Sequence, residues 1–170
     1  MFTKGTRIQI RGDGSTCPVE DLMIGDLVFC PILDELVEII DILSRTKKLT
    51  APGVPNRKDW TPVEVPVGAI SPNRPFRPLV VSPKQQTFVV NRSQAHRFQP
   101  EFSVVAADTL FPSVSHDLKE VTYYAIFLDA ASPIIANGAL CMCYGPDVFA
   151  SRCEKPVTKL SSAMWGRFNA

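Results

Sequence analysis

The sequence predicts an all-β fold of short strands, and three observations carry that prediction. Its apolar runs are brief and separated by turn-forming residues. Where polarity alternates, it does so with the period of two that belongs to strands. Fifteen prolines and nine glycines in 170 residues interrupt the chain too often for long helices.

The first strand is expected over Thr6 to Arg11, where T-R-I-Q-I-R puts Ile8 and Ile10 on one face and Arg7, Gln9 and Arg11 on the other. Gly12-Asp13-Gly14-Ser15 follows as a turn, because glycine and aspartate accept the backbone angles that turns demand. Leu27 to Cys30 reads as a buried strand and Val37 to Leu43 as a longer one. From Lys47 to Pro62 the apolar pattern stops, so residues 47–62 are expected to be a loop excursion of unusual length. Trp60 inside it is either a contact residue for a partner or a staple that ties the loop to its own core. Leu79 to Val81 and Phe88 to Val90 flank a turn at Ser82 to Thr87. Phe102 to Ala106 and Val121 to Leu128 supply further strands, and Pro133 to Ala136 and Leu140 to Tyr144 close the domain. Only Gly68 to Ile70 and Ala106 to Leu110 are expected to form short helical turns.

Composition narrows the function classes. A chain of 170 residues, 45% hydrophobic and 21% charged, is of ordinary globular make-up and fits one domain. A formal net charge of +1 gives no electrostatic case for nucleic acid or an acidic membrane. No apolar run approaches the roughly 20 residues of a membrane span. The start carries Lys4, Arg7 and Arg11 and lacks the apolar centre of a signal peptide, so a cytoplasmic protein with reduced thiols is expected. The five cysteines cannot all pair within one chain.

The chain divides into a β domain at 1–146 and a tail at 147–170. The tail is polar but ends with Met164, Trp165 and Phe168. Tails fray unless something holds them, and these residues are candidate anchors, either on the chain's own domain or on another subunit of an assembly.

Several segments resemble the self-cleaving Hint domains, the Hedgehog and intein group. Met1-Phe2-Thr3-Lys4-Gly5-Thr6, followed by Val19-Glu20-Asp21-Leu22-Met23-Ile24-Gly25-Asp26, is similar to the family's C-F-x-x-G-T and V-E-D-L-x-x-G-D. Pro66 to Ile70 resembles R-A-G-A-L, and Leu79-Val80-Val81-Ser82-Pro83-Lys84-Gln85 resembles L-V-V-S-P-Q-H. Val105 to Leu110 resembles V-P-A-R-H-L, and Tyr124 to Tyr144 resembles the family's closing segment. The resemblance implies a compact, horseshoe-like Hint fold of short strands with pseudo-twofold symmetry.

It also states what an active member must contain. A cysteine or serine at the first position attacks the preceding carbonyl, and a histidine in an S/T-x-x-H motif protonates the departing amide nitrogen. Here Met1, a thioether without an ionisable proton, stands at the nucleophile's position. Gln85 takes the histidine's place and can hydrogen-bond but not shuttle a proton. Thr109 and Ala131 replace two further histidines of the resembling segments, while Ser82 and Asn137 keep the family's residue types. If Met1 is the natural initiator, no upstream peptide exists to be cleaved. Asn137-Gly138 is followed by a further stretch to Ala170 and so does not read as a splice terminus.

Other constellations lead nowhere stronger. Cys141 and Cys143 on a strand share a face, but structural zinc needs four ligands, and Cys153, His96 and His116 lie in unrelated segments, so no metal is expected. Arg92, His96 and Arg97 form a small basic cluster without a glycine-rich phosphate loop. The expectation is a non-catalytic Hint-fold structural or protein-binding module without cofactors. Its partners would be other protein subunits, with no membrane and no nucleic acid involved. It would serve an assembly such as a phage tail or baseplate, and be virion-located in that case. An autoprocessing Hint domain lacking its nucleophile is the alternative. A hydrolase using Ser82 is a third reading, which lacks a base in the local motif.

Overall fold

Short strands leave backbone N–H and C=O groups that must find partners elsewhere in the chain, and here they are collected into two six-stranded sheets. The computed structural model describes residues 1–49, 57–90, 102–114 and 118–146. The first sheet has the order β4-β5-β10-β1-β7-β6: β1 Phe2–Thr3, β4 Leu27–Cys30, β5 Glu35–Lys48, β6 Val63–Val65, β7 Leu79–Val81 and β10 Glu120–Leu128. The second has the order β3-β2-β11-β12-β8-β9: β2 Arg7–Gln9, β3 Thr16–Pro18, β8 Gln86–Val90, β9 Phe102–Ala106, β11 Pro133–Ala136 and β12 Ala139–Met142. All strand pairs are antiparallel. Each sheet draws strands from both halves of the chain.

One apolar core lies between the sheets, with Phe2, Ile8, Val28, Ile39, Leu79, Val81, Ile126, Leu128, Ile134 and Cys141 among its members. A smaller cluster gathers Leu49, Val121 and Tyr123, with Met1, Trp60 and Leu118 packed against it. No helix among the described residues is long and apolar enough to cross a membrane.

The strongest apolar runs fall where the sequence places them, at Leu27–Cys30, Leu79–Val81 and Phe102–Ala106. Four features differ. The expected face of Gln9 is wrong: it is buried, with Nε2 donating to the Arg11 carbonyl at 2.7 Å, so a satisfied amide is tolerated where a charge would not be. The strand expected at Val37 to Leu43 runs from Glu35 to Lys48, two residues into the segment read as loop. Its polar end is held by β10, in register from Phe127↔Asp41 to Glu120↔Lys48, so pairing overrides composition. A helical turn α1, Arg57–Trp60, lies within that segment. Of the two helical turns expected, Ala107–Leu110 is α2, while 68–70 is non-helical.

Candidate functional site

The candidate site is where the chain begins. β1 lies between β10 and β7, with Phe2 opposite Tyr124 on one side and Val81 on the other. That register sets Met1 beside Ser82, whose N–H donates to the Met1 carbonyl at 2.9 Å. Ser82-Pro83-Lys84-Gln85 is a tight turn closed by the Gln85 N–H on the Ser82 carbonyl at 2.9 Å, with proline at the position whose fixed φ suits it. The turn therefore delivers two side chains, Ser82 and Gln85, to one nitrogen. The Met1 amine donates to Ser82 Oγ at 3.2 Å and to Gln85 Oε1.

The turn is itself clamped. The N–H groups of Ala107 and Asp108, at the start of α2, donate to the carbonyls of Gln85 and Pro83 at 2.9 and 3.0 Å. Outside, Lys84 and Asp108 form an exposed ion pair at 2.6 Å. Gln85 also reaches across to the second sheet: its Nε2 donates to the carbonyls of Met142 at 2.8 Å and Gln86 at 3.0 Å. Gln85 is 1% exposed, so these bonds are what make its burial tolerable.

Burial dominates the electrostatics. The Met1 side chain is partly buried, but its amine is enclosed, and the loss of water pulls the amine down from 8.0 to about 5. The Cys141 and Cys143 thiols face the amine from β12 and the residues after it. Burial pushes Cys141 up to about 12 and Cys143 higher still. At neutral pH both are thiols rather than thiolates, and so are poor nucleophiles. All four cysteines among the described residues are free, and no three metal-ligating side chains among those residues gather into a metal site.

The remaining expected residues lie elsewhere. Thr109 is exposed on α2, and Ala131 is exposed between β10 and β11. Asn137 sits in the hairpin joining β11 to β12, where Asn137 and Gly138 both have positive φ, +49° and +84°, as a two-residue hairpin loop requires. Its Oδ1 accepts from the Arg7 N–H and its Nδ2 donates to the Pro78 carbonyl, each at 2.8 Å. That amide is therefore occupied in stitching the hairpin to β2 and to the segment before β7. Trp60 is engaged by its own domain: Tyr123 Oη donates to its carbonyl at 2.7 Å, and Lys47 Nζ lies 4.1 Å from its ring centroid. Met164, Trp165 and Phe168 lie outside the described residues, as do Arg92, His96, Arg97, His116 and Cys153.

Two residues of the site escaped the sequence as neighbours of Met1, namely Cys141 and Cys143. Their spacing shows a shared face; only the pairing of β12 with β8 (Cys141↔Thr87) brings that face to the Ser82–Gln85 turn.

Two β-sheets that share the chain's halves, with the first residue enclosed by an S-P-x-Q turn, define a Hint-type domain. The Hint domain family matches residues 1–148, and the chain belongs to that family. Among solved structures it is similar to the solution structure of a bacterial intein-like domain from Clostridium thermocellum. The two share 13% identity over 84% of this chain and 96% of that one, with a TM-score of 0.45. No curated protein matches the chain.

Proposed function

We propose that this Hint domain acts as a structural or protein-binding module and does not cleave itself. One observation carries the reading: Gln85, at the position of the proton donor, accepts a hydrogen bond from the Met1 nitrogen instead of offering it a proton. An amide oxygen fills that role equally for an amine or for a peptide N–H, and neither arrangement protonates a leaving group. The rest of the site agrees. The Met1 side chain packs against Leu49, Val121 and Tyr123, and burial keeps Cys141 and Cys143 protonated. Asn137 is locked by two hydrogen bonds.

The direct test places a short peptide before residue 1, makes Met1→Cys, and adds a thiol. The expected result is an intact chain by mass. Thiol-dependent cleavage would sink the proposal. A self-processing domain that lacks only its nucleophile is the second reading, and Ser82 Oγ, still 3.2 Å from the Met1 nitrogen, favours it. Under that reading Met1→Cys alone restores cleavage.

As a module, the domain would serve a larger assembly, such as a phage tail or baseplate, with the tail at 147–170 as a candidate anchor. Native mass of the complex with and without residues 150–170 tests this: loss of the chain from its complex is expected, and an unchanged complex refutes it.

A further inference from the structure

We propose that the outer face of the β4–β5 hairpin is a two-fold interface with a second copy of this chain. The proposal deepens the binding-module reading, and the two fail separately, because mass reports the interface and cleavage reports the chemistry.

β4 is an edge strand of the first sheet and β5 is its neighbour. Directly opposed residues share a face. Val28 opposes Val37, and these turn toward the core. Leu27 opposes Glu38, and these turn outward, as does Leu36, whose opposite number Phe29 packs against Phe88, Ile135 and Leu140 of the second sheet. The pairing with β10 slips between Phe127↔Asp41 and Leu128↔Ile39, a bulge that lets Ile39 and Ile42 both face the core. Ile40 and Leu43 are left outside. Leu27, Leu36 and Leu43 are each 46% exposed and Ile40 is 39% exposed. Leu36 to Leu43 spans about 23 Å at ~3.3 Å per residue. Isolated exposed leucines need no explanation, but a continuous strip along a sheet face does.

Charge says what covers it. On the face of the strip Glu38 and Asp41 lie toward one end of β5, and Arg45 and Lys47, both seated over the Trp60 ring, toward the other. Among the described residues none of these four is in an ion pair within the chain. Such a strip repels itself when two copies lie parallel and complements itself when they are antiparallel. A two-fold axis near Leu43 sets the acidic end of each copy over the basic end of its partner. Two-fold contacts must be self-complementary in this way, and apolar anchors with a charged rim are the anatomy of such an interface.

The test is the mass of the full-length protein in solution across a concentration series. A dimer is expected, weakened at least about tenfold by Leu43→Glu, since a buried like-charge pair on the axis removes a central anchor. Asp41→Arg or Arg45→Glu alone weakens association and raises its salt dependence, while the two together, which the axis sets opposite each other, restore it. Recovery in the double variant also shows that the single variants fold. A monomer at every concentration overturns the proposal, as does a dimer indifferent to Leu43→Glu. So does a dimer that forms only after residues 147–170 are deleted, which would assign the strip to the chain's own tail.

Discussion

Gln85 accepts a hydrogen bond from the Met1 nitrogen and, through its own amide, donates to the Met142 carbonyl on the opposite sheet. One buried side chain thus ties the first residue of the chain to both sheets. Gln85→Ala removes an acceptor and a donor together and leaves Met142 with an unmet carbonyl. A loss of roughly 2–3 kcal/mol is expected, read as a lower denaturant midpoint with an unchanged slope.

The amine makes stability pH-dependent. With a free Met1 amine, the unfolded chain binds its proton near 8.0 and the folded chain only near 5. Between those values the unfolded state holds more protons, so stability is greatest above pH 8 and falls as pH drops toward 5. Below that it no longer changes for this reason, and the ceiling on the effect is about 4 kcal/mol. The Cys141 and Cys143 thiols that face the amine stay neutral throughout this window. Denaturation midpoints at pH 5, 6.5 and 8, compared with an N-terminally acetylated chain, check this; equal slopes for both forms would refute it.

Trp60 holds the segment before β6 against the domain through Tyr123 and Lys47. Tyr123→Phe is expected to cost about 1 kcal/mol, the value of one hydrogen bond. Trp60→Ala also forfeits apolar packing and the cation contact, so a loss of about 2–4 kcal/mol follows. Thermal melts of the two variants should rank in that order.

Gly138 is the point where the β11–β12 hairpin meets Phe76. A Cβ there would lie 2.4 Å from Phe76 Cδ1, on a residue whose φ is +84°. Gly138→Ala is expected to cost at least ~1 kcal/mol from backbone strain alone. The displaced ring adds to that cost, and only that part should be recovered in the pair with Phe76→Ala. A double-mutant cycle measures the split.

The buried thiols give a kinetic readout. Cys30, Cys141 and Cys143 are buried, while Cys17 is partly exposed. Brief alkylation at pH 8 followed by peptide mapping should label Cys17 first among these four, and the other three only after denaturant is added. Early labelling of Cys141 would contradict the enclosed site.

The strands with apolar residues on both faces were the legible ones. Leu27–Cys30 and Leu79–Val81 are apolar enough to be read directly, because core residues on one strand need no distant partner to look apolar. β1, β3 and β6 are two or three residues long, too short for a period to show. The end of β5, Arg45 to Lys48, exists because β10 pairs with it, and nothing in its own composition says so. The site divides in the same way. Met1, Ser82 and Gln85 meet because a local turn and one register pair bring them together. Thr109 and Ala131 are exposed in separate segments, and the closeness of Cys141 and Cys143 to the amine depends on the order of strands in space.

Asn137 shows why matching letters can mislead. It is the residue type a splicing domain would use to cut its own chain, yet here its backbone turns a hairpin and its amide binds two other segments. Geometry alone is sufficient reason for asparagine at this corner, whatever its chemistry. A roll call of preserved residues is therefore no measure of reactivity in domains like this one. What the letter does not show is whether the amide at that corner is free to move, and here two hydrogen bonds hold it.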